Sequence, residues 1–341
     1  MAKFTPPKTY KAAAVTKKSA LELIDVPWKD PAAGQVVVKV EACGVCRSDD
    51  LVVNQLMPAG LPRIPGHEIV GTVVAVGPGE KLWKEGQRVG GGWHGAHCFA
   101  CRQCRKGDFN TCENEQVNGV TMDGGYAEYA TLKSEAVVAL PEGMDPAETA
   151  PLMCAGVTTY NSIRNMGLKA GDIVAVQGIG GLGHLALQYA RAMGYKTVAL
   201  STSASKKALA SELGAHAYLD ASKVNQAEEL GKMGGANLIV CTAPSADIIQ
   251  ALVPGLAVGG TLLVLAIAPD DLKFNATPFI TKRLSLRGWP SGHAKDSEDC
   301  AAFSKLEGVK CRIQKYPLEK AAEAYQSMMD GSAKFRAVIV P

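Results

Sequence analysis

The stretch Val174–Ala190, VAVQGIGGLGHLALQYA, decides how the chain is read. A continuous apolar run, DIVAVQ at 172–177, leads into Gly178-x-Gly180-x-x-Gly183. Apolar residues then recur at helical spacing, with Leu182, Leu185, Ala186, Tyr189 and Met193 on one side. Strand, glycine turn and helix in that order form a dinucleotide-binding fingerprint. The first glycine permits the turn, the second lets backbone approach a pyrophosphate, and the third lets helix and strand pack closely. The helix start then offers unpaired N–H groups to the phosphates. Gly178, Gly180, Gly181, Leu182 and Gly183 are therefore the expected cofactor contacts, against the competing reading of a purely structural turn.

Working outward, TVALS follows as a second strand and SKKALASELG as a helix stopped by Gly214. AYLD, NLIVCTA and TLLVLAI are further strands with helical stretches between them. Strands alternating with helices imply a doubly wound parallel sheet covered on both faces, a Rossmann α/β fold, over 156–289. An acid is expected at the end of the second strand to bond the ribose 2′-OH of NAD. Ser201 stands there instead, followed by Thr202, Ser203, Ala204, Ser205, Lys206 and Lys207. Without a carboxylate, nothing repels a 2′-phosphate, and hydroxyls and lysines supply donors for one. Ser201, Thr202, Ser203 and Lys206 are thus expected to favour NADP(H) over NAD(H). The alternative is that the lysines are a solvated helix face and Ser201 tolerates NAD.

The flanks have a different texture. Residues 11–15 and 36–41 and GHEIVGTVVAVG at 66–77 read as strands, and 85–140 is rich in Gly, Asn and Asp. After Trp289 come two helices, SEDCAAFSKLEG and LEKAAEAYQSMMDG, and a closing strand, RAVIV. We expect 1–155 and 290–341 to form one irregular, mainly β domain. A length of 341 residues suits two such domains. The 47% hydrophobic and 20% charged fractions describe a soluble globular chain. A formal charge of +3 with scattered Lys and Arg gives no nucleic-acid signal. No apolar stretch is long enough to span a bilayer, so no membrane partner is expected. The start, MAKFTPPKTY, lacks the apolar core of a signal peptide, so the cytoplasm is the expected location.

Ten cysteines remain to be explained, at 43, 46, 98, 101, 104, 112, 154, 241, 300 and 311. A disulfide framework fits a large chain without a secretion signal poorly. Cys98-x2-Cys101-x2-Cys104-x7-Cys112 places four soft ligands in a short loop, which favours a closed tetrahedral structural zinc. Iron–sulfur ligation and unmetallated cysteines are the alternatives. Cys46, His67 and Cys154 offer a second, distant set. Two Cys and one His leave a fourth position for water or substrate, as catalytic zinc requires. Spacing alone leaves this set open, since Gly66-His67-Glu68 reads equally well as a surface turn. Asp49 and Glu68 are candidate supporting carboxylates, and Glu68 an alternate ligand.

The chain resembles the zinc-containing medium-chain alcohol dehydrogenases over nearly its whole length. The resemblance rests on Gly44-Val-Cys-Arg-Ser-Asp49, Gly66-His-Glu68, the Gly86-x-x-Val89 turn, the four-cysteine loop, Asp123-Gly-Gly-Tyr-Ala-Glu128, Cys154-Ala-Gly-Val-Thr-Thr-Tyr160 and Gly178-Ile-Gly-Gly-Leu-Gly183. It implies a GroES-like catalytic domain formed by both chain ends. It implies catalytic zinc on Cys46, His67 and Cys154 with Glu68 beside it, and structural zinc on Cys98, Cys101, Cys104 and Cys112. It also implies Ser48 as proton acceptor from the alcohol, and Arg47 and Arg336 as cofactor contacts, although Arg336 also reads as a surface arginine. The implied reaction moves a hydride between NADP(H) and an apolar or aromatic primary alcohol or aldehyde. An NAD-dependent enzyme or a polyol dehydrogenase of the same fold is the alternative. Family members of this length are homodimers or homotetramers.

Three departures stand out. Leu51 occupies a position where many members carry a histidine that completes a proton relay. Phe99-Ala100 stands where glycine often follows the first loop cysteine. Trp289 follows Gly288 where a small residue is common. Leu51, Met57 and Trp93, with His94 and Trp289 as further candidates, would suit an apolar substrate body. The Ser201 segment resembles the cinnamyl-alcohol-like branch of the family.

Overall fold

The computed structural model describes residues 4–57 and 59–341. The chain divides into two compact units: one runs to Val157 and resumes from Ser291 to the end, and the other is Thr158–Pro290.

The second unit is built on one six-stranded parallel sheet. Its spatial order is Ala217–Asp220, Lys196–Ser201, Ile173–Gln177, Ala236–Cys241, Leu256–Val264, Ser285–Gly288. The strand that opens the glycine motif lies inside this sheet, and all five residues of Ile173–Gln177 are buried. That explains why its sequence is continuously apolar rather than alternating: helices cover both faces. One buried cluster, containing Ala175, Val198, Leu200 and Ile239, fills one side. Another, containing Val174, Val176, Ala186, Leu187, Ala190 and Val240, fills the other. The order reverses between Ile173–Gln177 and Ala236–Cys241. The carboxyl ends at such a switch point are where open α/β sheets hold ligands.

The first unit carries a seven-stranded sheet whose strands pair antiparallel except for Ile313–Pro317 with Arg336–Val340. At its centre, Gln35–Gly44 pairs with both Ile69–Val76 and Tyr129–Lys133. Its register slips twice, between Val37 and Val38 and between Val40 and Ala42. Such irregularities bend a strand and re-aim its end. Here the end leads directly into Val45 and Cys46. The closing strand, Arg336–Val340, pairs beside it, with Val338 opposite Gly44 and Ile339 opposite Cys43. The C-terminal segment thereby packs against the segment that leads into Cys46 within one unit. The unit's core joins Val36, Val38 and Val40 to Ile69, Tyr126 and Ile339. Among the described residues, no helix is long and apolar enough to cross a membrane.

Candidate active site

Four ligand-bearing residues converge in the first unit. One atom each from Cys46, His67, Glu68 and Cys154 lies within 4.8 Å of the others. The backbone explains how distant residues meet. Cys46 follows the bent central strand and starts the short 3-10 turn Arg47–Asp49. His67 and Glu68 immediately precede the strand Ile69–Val76. Cys154 closes the 3-10 turn Ala150–Met153 at φ −133°, ψ −74°, just before the helix Ala155–Arg164. The two thiols, 108 residues apart, are 3.8 Å from each other. Zinc–sulfur bonds of about 2.3 Å in a tetrahedron separate ligand sulfurs by about 3.8 Å, whereas a disulfide needs about 2.05 Å.

His67 is fully buried, so the surface-turn reading of Gly66-His67-Glu68 is excluded. Its Nδ1 lies 3.1 Å from Asp49 Oδ1, a charge contact outside hydrogen-bond alignment, and its Nε2 is likewise buried without a hydrogen-bond partner. A carboxylate on Nδ1 keeps the proton there and leaves the Nε2 lone pair for a metal. Asp49 is fixed in turn: its Oδ2 accepts the Cys46 amide at 2.8 Å and the Tyr126 hydroxyl at 2.7 Å. Glu68 pairs with Arg336 through Oε1, while its Oε2 is buried without a partner. A Cβ at Gly44 would overlap that Oε2, so the carboxylate fits only because residue 44 has no side chain. Arg336 is only 5% exposed and is not a surface arginine.

The electrostatics suit a cation. The hydrogen bond from Cys154, with the nearby His67 and Arg336, holds the Cys46 thiol well below its ordinary value. The same bond pushes Cys154 up. Burial disfavours a charged His67 ring, but Asp49 and Cys46 outweigh it and hold its pKa high. Burial pushes Glu68 up to about 7 against the pull of Arg336. Two thiols, a buried imidazole nitrogen and a half-paired carboxylate form a donor set that fits zinc.

The loop cysteines meet as well. Cys98, Cys101, Cys104 and Cys112 also place their sulfurs within 4.8 Å of one another. Three sulfur pairs stand at 4.0, 3.9 and 3.6 Å, and all ten cysteines are free of disulfides. Backbone amides of Cys101, Cys104, Cys98 and Asn114 point at the sulfurs from 3.3 to 3.5 Å. The amide of Cys101 leads in lowering the Cys98 thiol to about 6. Burial raises Cys104 to about 12. Phe99 occupies the left-handed region at φ +59°, where glycine is favoured and a bulky residue is strained. Its ring lies edge-on to His97, which stacks on Phe109 with centroids 4.1 Å apart.

Ser48 is half-buried and Arg47 exposed in the turn after Cys46, and Leu51 is half-buried in the short helix Asp50–Val53. Trp93 meets His67 edge-on at 5.0 Å, and Met57 is 40% exposed. His94 fits the reading of a local hydrogen-bonding residue. It is buried, with Nδ1 2.9 Å from Glu115 and Nε2 2.9 Å from His97. Trp289 packs against the core of the second unit, with Arg287 over its ring.

In that second unit, Gly178 turns at φ +86°. A Cβ at Gly183 would overlap the Gly178 carbonyl oxygen, whereas one at Gly180 would meet nothing within 4 Å. The third glycine is thus required by packing and the second leaves open space. Thr242 Oγ1 donates to Gln177 O at 2.7 Å and holds the turn against the neighbouring strand. Ser201 ends its strand half-buried, and Thr202 and Ser203 are exposed. Lys206 does not belong to a solvated face: its Nζ donates to Ile179 O, inside the glycine turn, at 2.8 Å. Lys207 is exposed. The Tyr126 and Arg336 contacts with metal-site carboxylates were not anticipated. The sequence signals beside them are the Gly124-Gly125 pair next to Tyr126 and the place of Arg336 at the start of the closing strand.

Residues 32–142 match the alcohol dehydrogenase GroES-like domain and residues 181–306 the zinc-binding dehydrogenase family. An alcohol dehydrogenase of Penicillium expansum is 50% identical, with 98% of each chain covered. One of Aspergillus clavatus is 46% identical, again over 98% of each. Among solved structures, a cinnamyl alcohol dehydrogenase of Sorghum bicolor superposes with a TM-score of 0.88 at 28% identity, covering 98% of each chain.

Proposed function

Because the chain belongs to the zinc-binding medium-chain alcohol dehydrogenases, and so is a zinc-dependent oxidoreductase working with a nicotinamide dinucleotide and a small organic substrate, we propose that it interconverts an apolar or aromatic primary alcohol and its aldehyde with NADP(H). The observation that carries the cofactor choice is Lys206. Its ammonium is bonded within the Gly178–Gly183 turn, beside a strand that ends in Ser201 rather than an acid. A positive charge held at the glycine turn, beside a strand that ends in a hydroxyl where NAD enzymes place an acid, favours a 2′-phosphate. The exposed hydroxyls of Thr202 and Ser203 add donors. The likeness to a cinnamyl alcohol dehydrogenase supports an aromatic substrate.

In this reading the first unit is catalytic and the second binds the dinucleotide. Cys46, His67 and Cys154 would hold the catalytic zinc, with Glu68 placed to replace a departing ligand. When bound there, zinc supplies Lewis acidity toward the substrate oxygen. Asp49 keeps His67 in the tautomer that presents Nε2. Ser48, two residues past Cys46, takes the proton that the substrate hydroxyl gives up. Leu51 cannot pass it on, so the proton leaves through water, a ribose hydroxyl or another side chain. Arg47, exposed on its own unit, is assigned to cofactor phosphate. Arg336 is assigned there only insofar as Glu68 shares it. The half-buried Trp93 and Leu51 give the substrate apolar walls. The edge strand Ser285–Gly288, exposed at all four residues, supports a homodimer or homotetramer.

The test is kcat/KM for NADPH and NADH with a panel of aromatic and aliphatic aldehydes and polyols. NADPH preference of tenfold or more is expected, and Ser201→Asp should reverse or erase it. A strong NADH preference in the native enzyme would refute the cofactor assignment. Better turnover of polyols would refute the substrate class.

A further inference from the structure

One side chain braces both members of the Asp49–His67 contact. The Tyr126 hydroxyl donates to Asp49 Oδ2 at 2.7 Å. Its ring lies directly over Gly66, the residue before His67, where an added Cβ would stand 2.8 Å from Cε1. Gly66 has φ +98°, a conformation that few other residues adopt. Tyr126 is itself immobilised. It is fully buried, its amide donates to Pro65 O at 3.1 Å, and its carbonyl accepts from Ala13 at 2.8 Å.

Resting on the reading of Cys46, His67 and Cys154 as the catalytic zinc site, we propose that Tyr126 is a positioning residue for that zinc. It acts through Asp49 and never touches the metal. A carboxylate has two oxygens and free rotation about its last bond. The Cys46 amide and the Tyr126 hydroxyl both bind Oδ2. That pair of bonds leaves Oδ1 as the oxygen facing His67 Nδ1, 3.1 Å away. Remove the hydroxyl and one amide bond remains, so the carboxylate can swing. A swinging partner loosens the imidazole, and Nε2 then points at the zinc position for less of the time. Outer partners of metal-bound histidines are typically worth about 10- to 100-fold in metal affinity. Tyr126 stands one bond further out, so we expect the lower part of that range.

Tyr126→Phe keeps the ring on Gly66 and deletes only the hydroxyl. The metal-free protein is titrated with Co2+, and its visible absorption and affinity are recorded. The native chain should take up two ions. The variant should bind the ion at the Cys46 site about tenfold more weakly, with altered absorption bands, and retain the ion at the four-cysteine loop unchanged. Asp49→Asn should weaken the same ion. Adding Tyr126→Phe to it should cost little more, because the tyrosine acts through that carboxylate. Native affinity and spectrum in Tyr126→Phe, or full additivity in the double variant, would overturn the role of Tyr126. Should Tyr126→Phe not fold, 3-fluorotyrosine at 126 keeps the ring and gives a more acidic hydroxyl. A spectrum identical to native would then count against the proposal, and a shifted one for it. If the native protein binds one ion per chain, or Cys46→Ser leaves two, the catalytic zinc reading itself fails.

Discussion

The two metal-ligand clusters solve the same coordination problem in opposite ways. The four-cysteine site is drawn from one loop of fifteen residues, Cys98–Cys112, and is only partly buried. Its sulfurs accept from neighbouring backbone amides, and Phe109 of the same loop stacks on the adjacent His97. The other site joins Cys46 to Cys154 across 108 residues and lies almost wholly inside the unit. Its ligands depend on a bent central strand, a buried carboxylate and a side chain from the closing strand. Four thiolates close a coordination shell; two thiolates and an imidazole do not. The local site can therefore act as a staple, while the long-range site requires a finished fold before it exists. Metal in the first should stabilise the unit, and metal in the second should mainly enable chemistry.

The largest expected effect comes from breaking the long-range cluster. Cys46→Ser should lower kcat/KM by at least about a thousandfold, the scale of losing Lewis-acid stabilisation worth several kcal/mol. Elemental analysis should find one zinc per chain, and the melting temperature should move by only a few degrees. A variant that loses both zincs would mean that the two sites are not independent. Breaking the local cluster should do the reverse. Cys104→Ala should cost several kcal/mol of metal-linked stability and lower the melting temperature by roughly 10 °C. The zinc and turnover of the protein that remains folded should be largely kept. Loss of activity without loss of stability would end the division into staple and catalyst.

The same contrast explains what could be read from sequence. The four-cysteine loop is legible because its ligands are neighbours and their spacing is the geometry. The glycine turn is legible because Gly178 and Gly183 are required by a turn and an overlap within six residues. Cys46, His67 and Cys154 carry no such signal, and only the resemblance of the flanking motifs joined them. Their partners were less visible still. Arg336 reads as an ordinary strand arginine until the pairing of Arg336–Val340 beside Gln35–Gly44 sets it against Glu68. Gly44 reads as one more glycine until the Glu68 carboxylate is seen where its side chain would be. His94, next to Trp93 in a glycine-rich turn, reads as a shape or local hydrogen-bonding residue or as a further pocket candidate, and its partners Glu115 and His97 fit the first reading. Tertiary contacts decide these cases, and no local pattern in the chain records them.

That histidine pair provides the smallest test of the comparison, because it belongs to the local cluster and should make it sensitive to acid. Burial, with repulsion from His94 and His293, lowers the His97 pKa from 6.5 to about 4. If His94 gives its Nδ1 proton to Glu115, its Nε2 accepts the Nδ1 proton of His97, and His97 Nε2 is left bare. That nitrogen is buried without a partner, on a ring stacked against Phe109. An added proton would put charge there with nothing to receive it. The unfolded chain protonates His97 near its ordinary value, while the folded chain resists until about pH 4. The unfolded state therefore binds more protons between these values, and stability falls as pH drops through that window. His97→Gln cannot titrate, so its melting temperature should decline less than the native one between pH 7 and 5.5. Zinc content must be followed at each pH, because the Cys98 thiol, held to about 6, begins to compete for protons at the lower end. Equal slopes at equal zinc content would mean that His97 takes up its proton as easily folded as unfolded. The acid response would then belong to the ligands and not to the aromatic group packed around the loop.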